Sequence, residues 1–169
     1  HNEIDSWIRD GLAGSKEWVL VGGPPCQAYS LAGRSRMRGT NPKEFEADKR
    51  HFLYREYLRI IKEFSPSVFV MENVKGMLTS RHSGSLIFNR ILEDLKSPGN
   101  GHQYMVRSFV VPGEIEDPED FVIKSENFGI PQRRHRVILF GIRADVAKSV
   151  PDLVNCPKRF SLVQAPRVN

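Results

Sequence analysis

Cysteine is scarce: Cys26 and Cys156 are the two in 169 residues. They could pair in principle, but usage this sparse reads as reduced, intracellular thiols rather than a disulfide framework. No apolar run approaches the ~20 residues that a membrane-spanning helix needs, and no signal peptide is recognisable at the start. The chain opens on His1 rather than Met, which predicts that the natural N-terminus lies upstream. Internal repeats and low-complexity tracts are absent, which excludes solenoid and compositionally biased architectures. His51, His82 and His102 have no metal-ligand spacing with one another or with Cys156, so no metal site is expected. An acidic excess is lacking too: 25 Lys and Arg against 20 Asp and Glu give a net charge of +5. That balance suits a polyanionic partner without proving one.

What is present is ordinary for one globular domain, with 40% hydrophobic and 27% charged residues. Residues 1–14 read as a helix with Ile4, Trp7, Ile8 and Leu12 on one face, closed by Gly11 and Gly14. A short apolar strand is expected at 18–21. Residues 30–49 have neither helical nor strand period and read as a loop, a length that inside a compact domain is usually functional. A helix follows at 50–64, stopped by Ser65-Pro66. A strand is expected at 67–71, a helix at 84–95, a strand at 104–111, an acidic surface excursion at 112–120 and a strand at 137–142. Patterning weakens after Arg143, and 152–169 has no assignment. Strands alternating with helices of this length predict a parallel sheet with crossover helices, that is, a doubly wound α/β fold.

Three stretches carry chemistry. In Gly22-Gly23-Pro24-Pro25-Cys26-Gln27-Ala28-Tyr29-Ser30, two glycines let the chain turn tightly and two prolines stiffen the step before a thiol. The carboxyl end of a strand is where an open α/β sheet keeps its site. Taken alone, the thiol reads as a buried structural cysteine. Met71-Glu72-Asn73-Val74 follows a second apolar run, where a lone Glu reads as an ion-paired or capping carboxylate. Gln132-Arg133-Arg134-His135-Arg136 runs into Val137-Ile138-Leu139-Phe140-Gly141; by themselves these arginines read as a solvated basic face or generic phosphate patch.

Together, in this order and spacing, the three stretches resemble the DNA (cytosine-5) methyltransferases. That family carries a Pro-Cys-Gln loop, a Glu-Asn-Val strand end and a Gln-x-Arg-x-Arg segment, and the resemblance covers roughly residues 19–143. It implies a Rossmann-like doubly wound sheet of the S-adenosylmethionine-dependent methyltransferase type. It also implies methyl transfer to C5 of cytosine in double-stranded DNA, on a flipped-out base.

The roles are carried over position by position. Cys26 matches the nucleophile that attacks C6, and Glu72 the acid at N3 and the N4 amino group, with a pKa raised in a closed pocket. Arg136 matches the arginine facing O2, and Arg134 the one supporting the pocket and nearby phosphate. Gln27 and Ser30 match loop positions on the DNA backbone, while Pro25 and Asn73 shape the loop and link it to the acid's strand. Arg34, Arg36 and Arg38 are expected to meet phosphates as the 30–49 loop closes over the flipped base. Pro24 is a weak candidate for the cofactor, S-adenosylmethionine. His135 falls where the family pattern is free and receives no catalytic role.

The chain also departs from the family pattern. The glycine-rich S-adenosylmethionine loop has no counterpart here, and too few residues precede Trp18 for the strands that carry it. Residues 1–143 are therefore expected to be a partial catalytic domain, with 144–169 the start of a target-recognition region or an irregular tail. Such a piece alone is expected neither to bind S-adenosylmethionine tightly nor to methylate. The full-length enzyme is expected to be monomeric, to use no metal or membrane, and, if prokaryotic, to be cytoplasmic beside the nucleoid. Two other readings are methylation of tRNA by the same residues and a catalytically silent nucleic-acid-binding fragment.

Overall fold

The structure, a computed structural model, describes residues 1–25, 54–82, 85–99, 101–112, 115 and 117–150. The expected loop at 30–49 and the tail at 152–169 lie outside the described residues. Helix α1 (Asn2–Leu12) leads to strand β1 (Val19–Gly22), and helix α2 (Tyr54–Phe64) leads to strand β2 (Val68–Val74). A two-stranded ribbon, β3 (Arg81–His82) and β4 (Ser85–Leu86), opens helix α3 (Ile87–Lys96). Strands β5 (Tyr104–Arg107), β6 (Val122–Lys124) and β7 (His135–Arg143) follow, then helix α4 (Ala144–Ser149). Among the described residues no helix is long and apolar enough to cross a membrane.

The main sheet runs β1-β2-β7-β5, with β6 also pairing β7. β1 is parallel to β2, but β7 is antiparallel to β2, β5 and β6. The all-parallel expectation therefore gives way to a mixed sheet. Helical crossovers deliver β2 after β1, whereas β7 returns through short turns from β6, and such a connection permits only an antiparallel neighbour.

Alternate residues of the strands bury against helices on one face. Phe69 and Met71 of β2, with Val137 and Leu139 of β7, pack on Tyr57 and Ile61 of α2 and on Phe88, Ile91 and Leu95 of α3. The opposite face has a smaller cluster of Phe140, Ile142 and Ala147 of α4. Helices thus lie on both faces, although on the second face β1 leaves Val19 and Val21 exposed, and the regularity past Arg143 is a six-residue helix that the sequence pattern did not reveal.

Several boundaries moved for local reasons. β5 stops at Arg107 rather than 111 because the Ser108 hydroxyl accepts the amides of Val110 and Val111 at 2.9 and 3.2 Å, bending the chain out of the sheet. α2 ends at Phe64 as expected, with Ser65 at φ 45° and its amide donating to the Ile61 carbonyl. α1 closes on Ala13, itself left-handed at φ 46°, rather than on either glycine. Its expected apolar face is turned outward: Trp7 is 64% exposed and α1 buries no residue. It docks through charge instead, with Asp5 accepting Arg59 at 2.8 and 3.1 Å and Arg9 facing Glu63 at 3.1 Å.

Two packing contacts fix the sheet beneath the site. Tyr57 donates its hydroxyl to the Val70 carbonyl at 2.9 Å, and its ring lies where a Cβ on Gly22 would sit, 2.9 Å away. In the centre, the Phe69 ring covers its cross-strand partner Gly141 so closely that a Cβ there would fall 2.1 Å from ring carbons. Glycine in a strand interior marks such a close approach. Gly141→Ala should destabilise the chain by about 1–3 kcal/mol through overpacking, read by urea denaturation. Adding Phe69→Leu should recover part of that loss, and no recovery would show that the ring is not the obstacle.

Candidate active site at one edge of the sheet

Strand direction decides which motifs can meet. β1 and β2 run parallel, so Gly22-Gly23-Pro24 and Glu72-Asn73-Val74 leave the sheet at the same carboxyl edge. β7 runs the other way, and near its start Arg136 and Val137 pair Val74 and Asn73 at that edge. A parallel β7 would carry the arginine segment to the far end, about 20 Å away (six residues at ~3.3 Å).

Side-chain parity then sorts the residues. Arg136 lies opposite Val74, and Ile138 opposite Glu72, so Glu72 and Arg136 are diagonal neighbours on one face. Their side chains meet, with Arg136 Nε 2.7 Å from Glu72 Oε1. Arg136 Nε has no aligned hydrogen-bond acceptor, so the contact is one of charge rather than a formed hydrogen bond. A second guanidinium nitrogen donates to the His135 carbonyl at 2.9 Å. The Glu72 side chain is 46% exposed against 23% for Arg136, so the acid faces a cation and water, not the closed pocket expected. Its other oxygen lies against Gly23, where an added Cβ would be 2.9 Å from Oε2. A side chain at Gly23 would displace this carboxylate, while the nearest backbone atom, the Glu72 carbonyl oxygen, stays at ordinary contact distance, 3.5 Å.

Asn73 points to the opposite face and is buried. Its Nδ2 donates to the Pro24 carbonyl at 3.1 Å, while its Oδ1 accepts the Val74 amide at 2.9 Å. The side chain thus ties the exit of β1 to the end of β2, two residues before Cys26. Pro24 is buried and Pro25 exposed.

The arginine segment is approached through a tight turn at Ser125–Asn127. Arg134 is exposed, and its amide donates to the Ser125 hydroxyl at 2.9 Å. His135 Nε2 lies 2.9 Å from Glu126 Oε1. The His135 hydrogen bond, more than any other influence, holds the Glu126 carboxyl below its ordinary pKa. His135 is therefore occupied structurally. Ser125 and Glu126 were not singled out from the sequence, where a serine and a glutamate before Asn127 look like ordinary turn residues.

Of the residues singled out, Pro24, Pro25, Glu72, Asn73, Arg134 and Arg136 are described and gather at this edge. Cys26, Gln27, Ser30, Arg34, Arg36 and Arg38 lie outside the described residues. No group of three or more candidate metal-ligating side chains occurs among the described residues. Two cavities, of about 240 and 260 Å³, lie elsewhere, beside α3 and β5 and beside β6.

An α/β sheet with helices on both faces, one reversed strand and a polar carboxyl edge is the architecture of the Rossmann-like methyltransferases. An E. coli prophage-encoded protein described as a DNA modification methyltransferase shares the fold, with a TM-score of 0.51 and 24% identity over 94% of this chain and 36% of that one. The family model for C-5 cytosine-specific DNA methylase matches residues 3–165. This chain belongs to that family. It is 40% identical over 134 residues to the type II methyltransferase M.Bpa9945I of Bacillus paralicheniformis, covering 79% of this chain and 27% of that protein. It is 30% identical over 153 residues to the DNA (cytosine-5-)-methyltransferase M.ApeKI of Aeropyrum pernix, covering 81% and 29%. The chain thus spans between a quarter and a third of the length of these two relatives.

The Asn73 bridge can be tested directly. Asn73→Asp replaces a donor by an acceptor facing the Pro24 carbonyl, and leaving that carbonyl unpaired should cost about 1–3 kcal/mol. Urea denaturation reads the loss, and a change below about 0.5 kcal/mol would show that the bridge is not holding the exit of β1.

Proposed function

We propose that this chain is the base-handling part of a DNA cytosine-C5 methyltransferase. The observation that carries the proposal is the Glu72–Arg136 pair at the edge where Pro24 and Pro25 lead to Cys26. Cytosine C5 is a weak nucleophile within its ring. Addition of the Cys26 thiolate to C6 forms a C–S bond and moves the ring's electron pair toward C5, which then acts as an enamine carbon. Glu72, in its protonated form, donates to N3 and accepts from the N4 amino group, stabilising the charge that develops there, and Arg136 donates to O2. The cytosine would displace the direct Glu72–Arg136 contact by inserting between an acid and a guanidinium already held on one face. Loss of the C5 proton to a base expels the thiolate and restores the ring.

S-adenosylmethionine, when bound, supplies the electrophilic methyl group. Pro24, whose carbonyl accepts Asn73 Nδ2, is the one residue of this chain singled out as a contact for it. What this chain contributes is chiefly the handling of the base. Reaching a cytosine inside a duplex requires flipping it out, at a cost of a few kcal/mol. Arg134, exposed at the same edge, is placed for a phosphate, and Arg34, Arg36, Arg38, Gln27 and Ser30 are proposed as further backbone contacts. Pro25 and Asn73 shape the loop. The relatives are named as type II and DNA (cytosine-5-)-methyltransferases, which favours DNA over tRNA as substrate and cytoplasmic modification as the setting.

Transfer of labelled methyl from S-adenosylmethionine to unmethylated duplex DNA and to bulk tRNA tests the reading in a protein extended to the length of the relatives. Label in DNA that falls by at least about a thousandfold with Cys26→Ala is expected. Label confined to tRNA would move the substrate to RNA. DNA binding without transfer would make the protein a silent binder. The 169-residue chain alone is expected to transfer nothing and to show no micromolar S-adenosylmethionine binding by calorimetry.

A further inference from the structure

Ser125 holds the arginine segment through more bonds than a turn serine needs. Its amide donates to the Arg134 carbonyl at 3.3 Å, and its carbonyl accepts the amides of Phe128 and Ile130 at 3.0 and 3.3 Å. Its hydroxyl donates to the Gln132 carbonyl and accepts the Arg134 amide at 2.9 Å. A turn hydroxyl ordinarily bonds a group two to four residues away. Here it reaches across to residues seven and nine positions on. Ser125 is buried, so neither partner can exchange this hydroxyl freely for water. The next residue, Glu126, holds the His135 ring at 2.9 Å. Both ends of the 132–135 stretch are therefore gripped from one short turn.

We propose that Ser125 is the positioning residue of the arginine segment: its hydroxyl fixes the main chain at Gln132 and Arg134, and so the direction from which Arg134 and Arg136 leave the sheet edge. A hydroxyl is the small side-chain group that both donates and accepts, and both functions are used. Alanine would leave the Arg134 amide and the Gln132 carbonyl with only their own tight 3.0 Å contact, each losing its bond to the hydroxyl in a part-buried turn. Arg136 is anchored by its own strand pairing, but the guanidinium bonds back to the His135 carbonyl, which sits one residue from the clamp. Loosening Arg134 thus loosens the frame from which Arg136 meets Glu72. The consequence for DNA rests on the function proposed above; the clamp itself does not.

Amide exchange and side-chain NMR on the whole 169-residue chain separate these two levels. In Ser125→Ala, the Arg134 amide should exchange at least about tenfold faster, while Phe69 and Leu139 in the core strands keep their rates. The Arg136 Nε–H resonance should shift, and Ser125→Thr should restore both. If the alanine variant fails to fold, Ser125→Cys, which keeps the size and weakens both bonds, takes its place. Unchanged Arg134 exchange would overturn the clamp. Equal acceleration at Phe69 and Leu139, or no restoration by a folded threonine variant, would reduce Ser125 to general stability. In parallel, affinity for a cytosine-containing duplex should fall about 5- to 30-fold in Ser125→Ala. A wild-type chain that binds no duplex would count against the proposed function and leave exchange to decide the clamp. Equal binding by both, despite faster Arg134 exchange, would overturn the positioning of the arginines for DNA.

Discussion

The antiparallel pairing of β7 with β2 is the constraint on which the candidate site depends. Sequence separation alone puts Glu72 and Arg136 sixty-four positions apart, and no local interaction could hold them together. The ladder from Val68–Ile142 to Val74–Arg136 does so as a by-product of burying Phe69, Met71, Val137 and Leu139. Reversal of one strand brings an amino end to an edge otherwise made of carboxyl ends. The bare space of Gly141 under the Phe69 ring lets the two strands close at the centre of that ladder.

Charge acts at the periphery of this frame. Arg136 faces Glu72, Lys75 faces Glu119 at 2.8 Å and Asp5 faces Arg59, each linking elements distant in sequence, while Glu126 faces His135 within one turn-to-strand connection. The solvent-facing pair, Lys75–Glu119, contributes at most about 1 kcal/mol. The part of such pairs in the fold is orientation more than stability. That suits an acid and a guanidinium that have to part for a ligand, because a tightly buried pair would cost several kcal/mol to separate.

Much of this was legible in the sequence. The helix expected at 50–64 announced itself by its Tyr57, Ile61 and Phe64 stripe and is found at Tyr54–Phe64, and the apolar runs behind the strands expected at 67–71 and 137–142 lie inside β2 and β7. The three chemical stretches could be placed at strand ends because polar residues border the apolar runs, although β2 continues through Glu72 and Asn73 and β7 already begins at His135. Strand direction was not legible, since a buried strand shows the same apolar run whether its neighbour runs up or down. β6, three residues long, is too short for a period, and β5 is cut by a serine hydroxyl whose effect is visible only in three dimensions. Trp7 and Ile4 misled because helical spacing reveals a face but not whether a partner covers it. Glu72 was expected in a closed pocket; enclosure comes from elements distant in sequence, which its neighbours in the chain do not encode.

Backbone NOEs between β2 and β7 test the central claim most directly. The account predicts Hα and amide contacts linking Met71 with Leu139, Asn73 with Val137 and Val74 with Arg136, stepping in opposite directions along the two strands. Contacts that step in the same direction, pairing Val68 with the Arg136 end, would place the arginine segment at the far edge and contradict it.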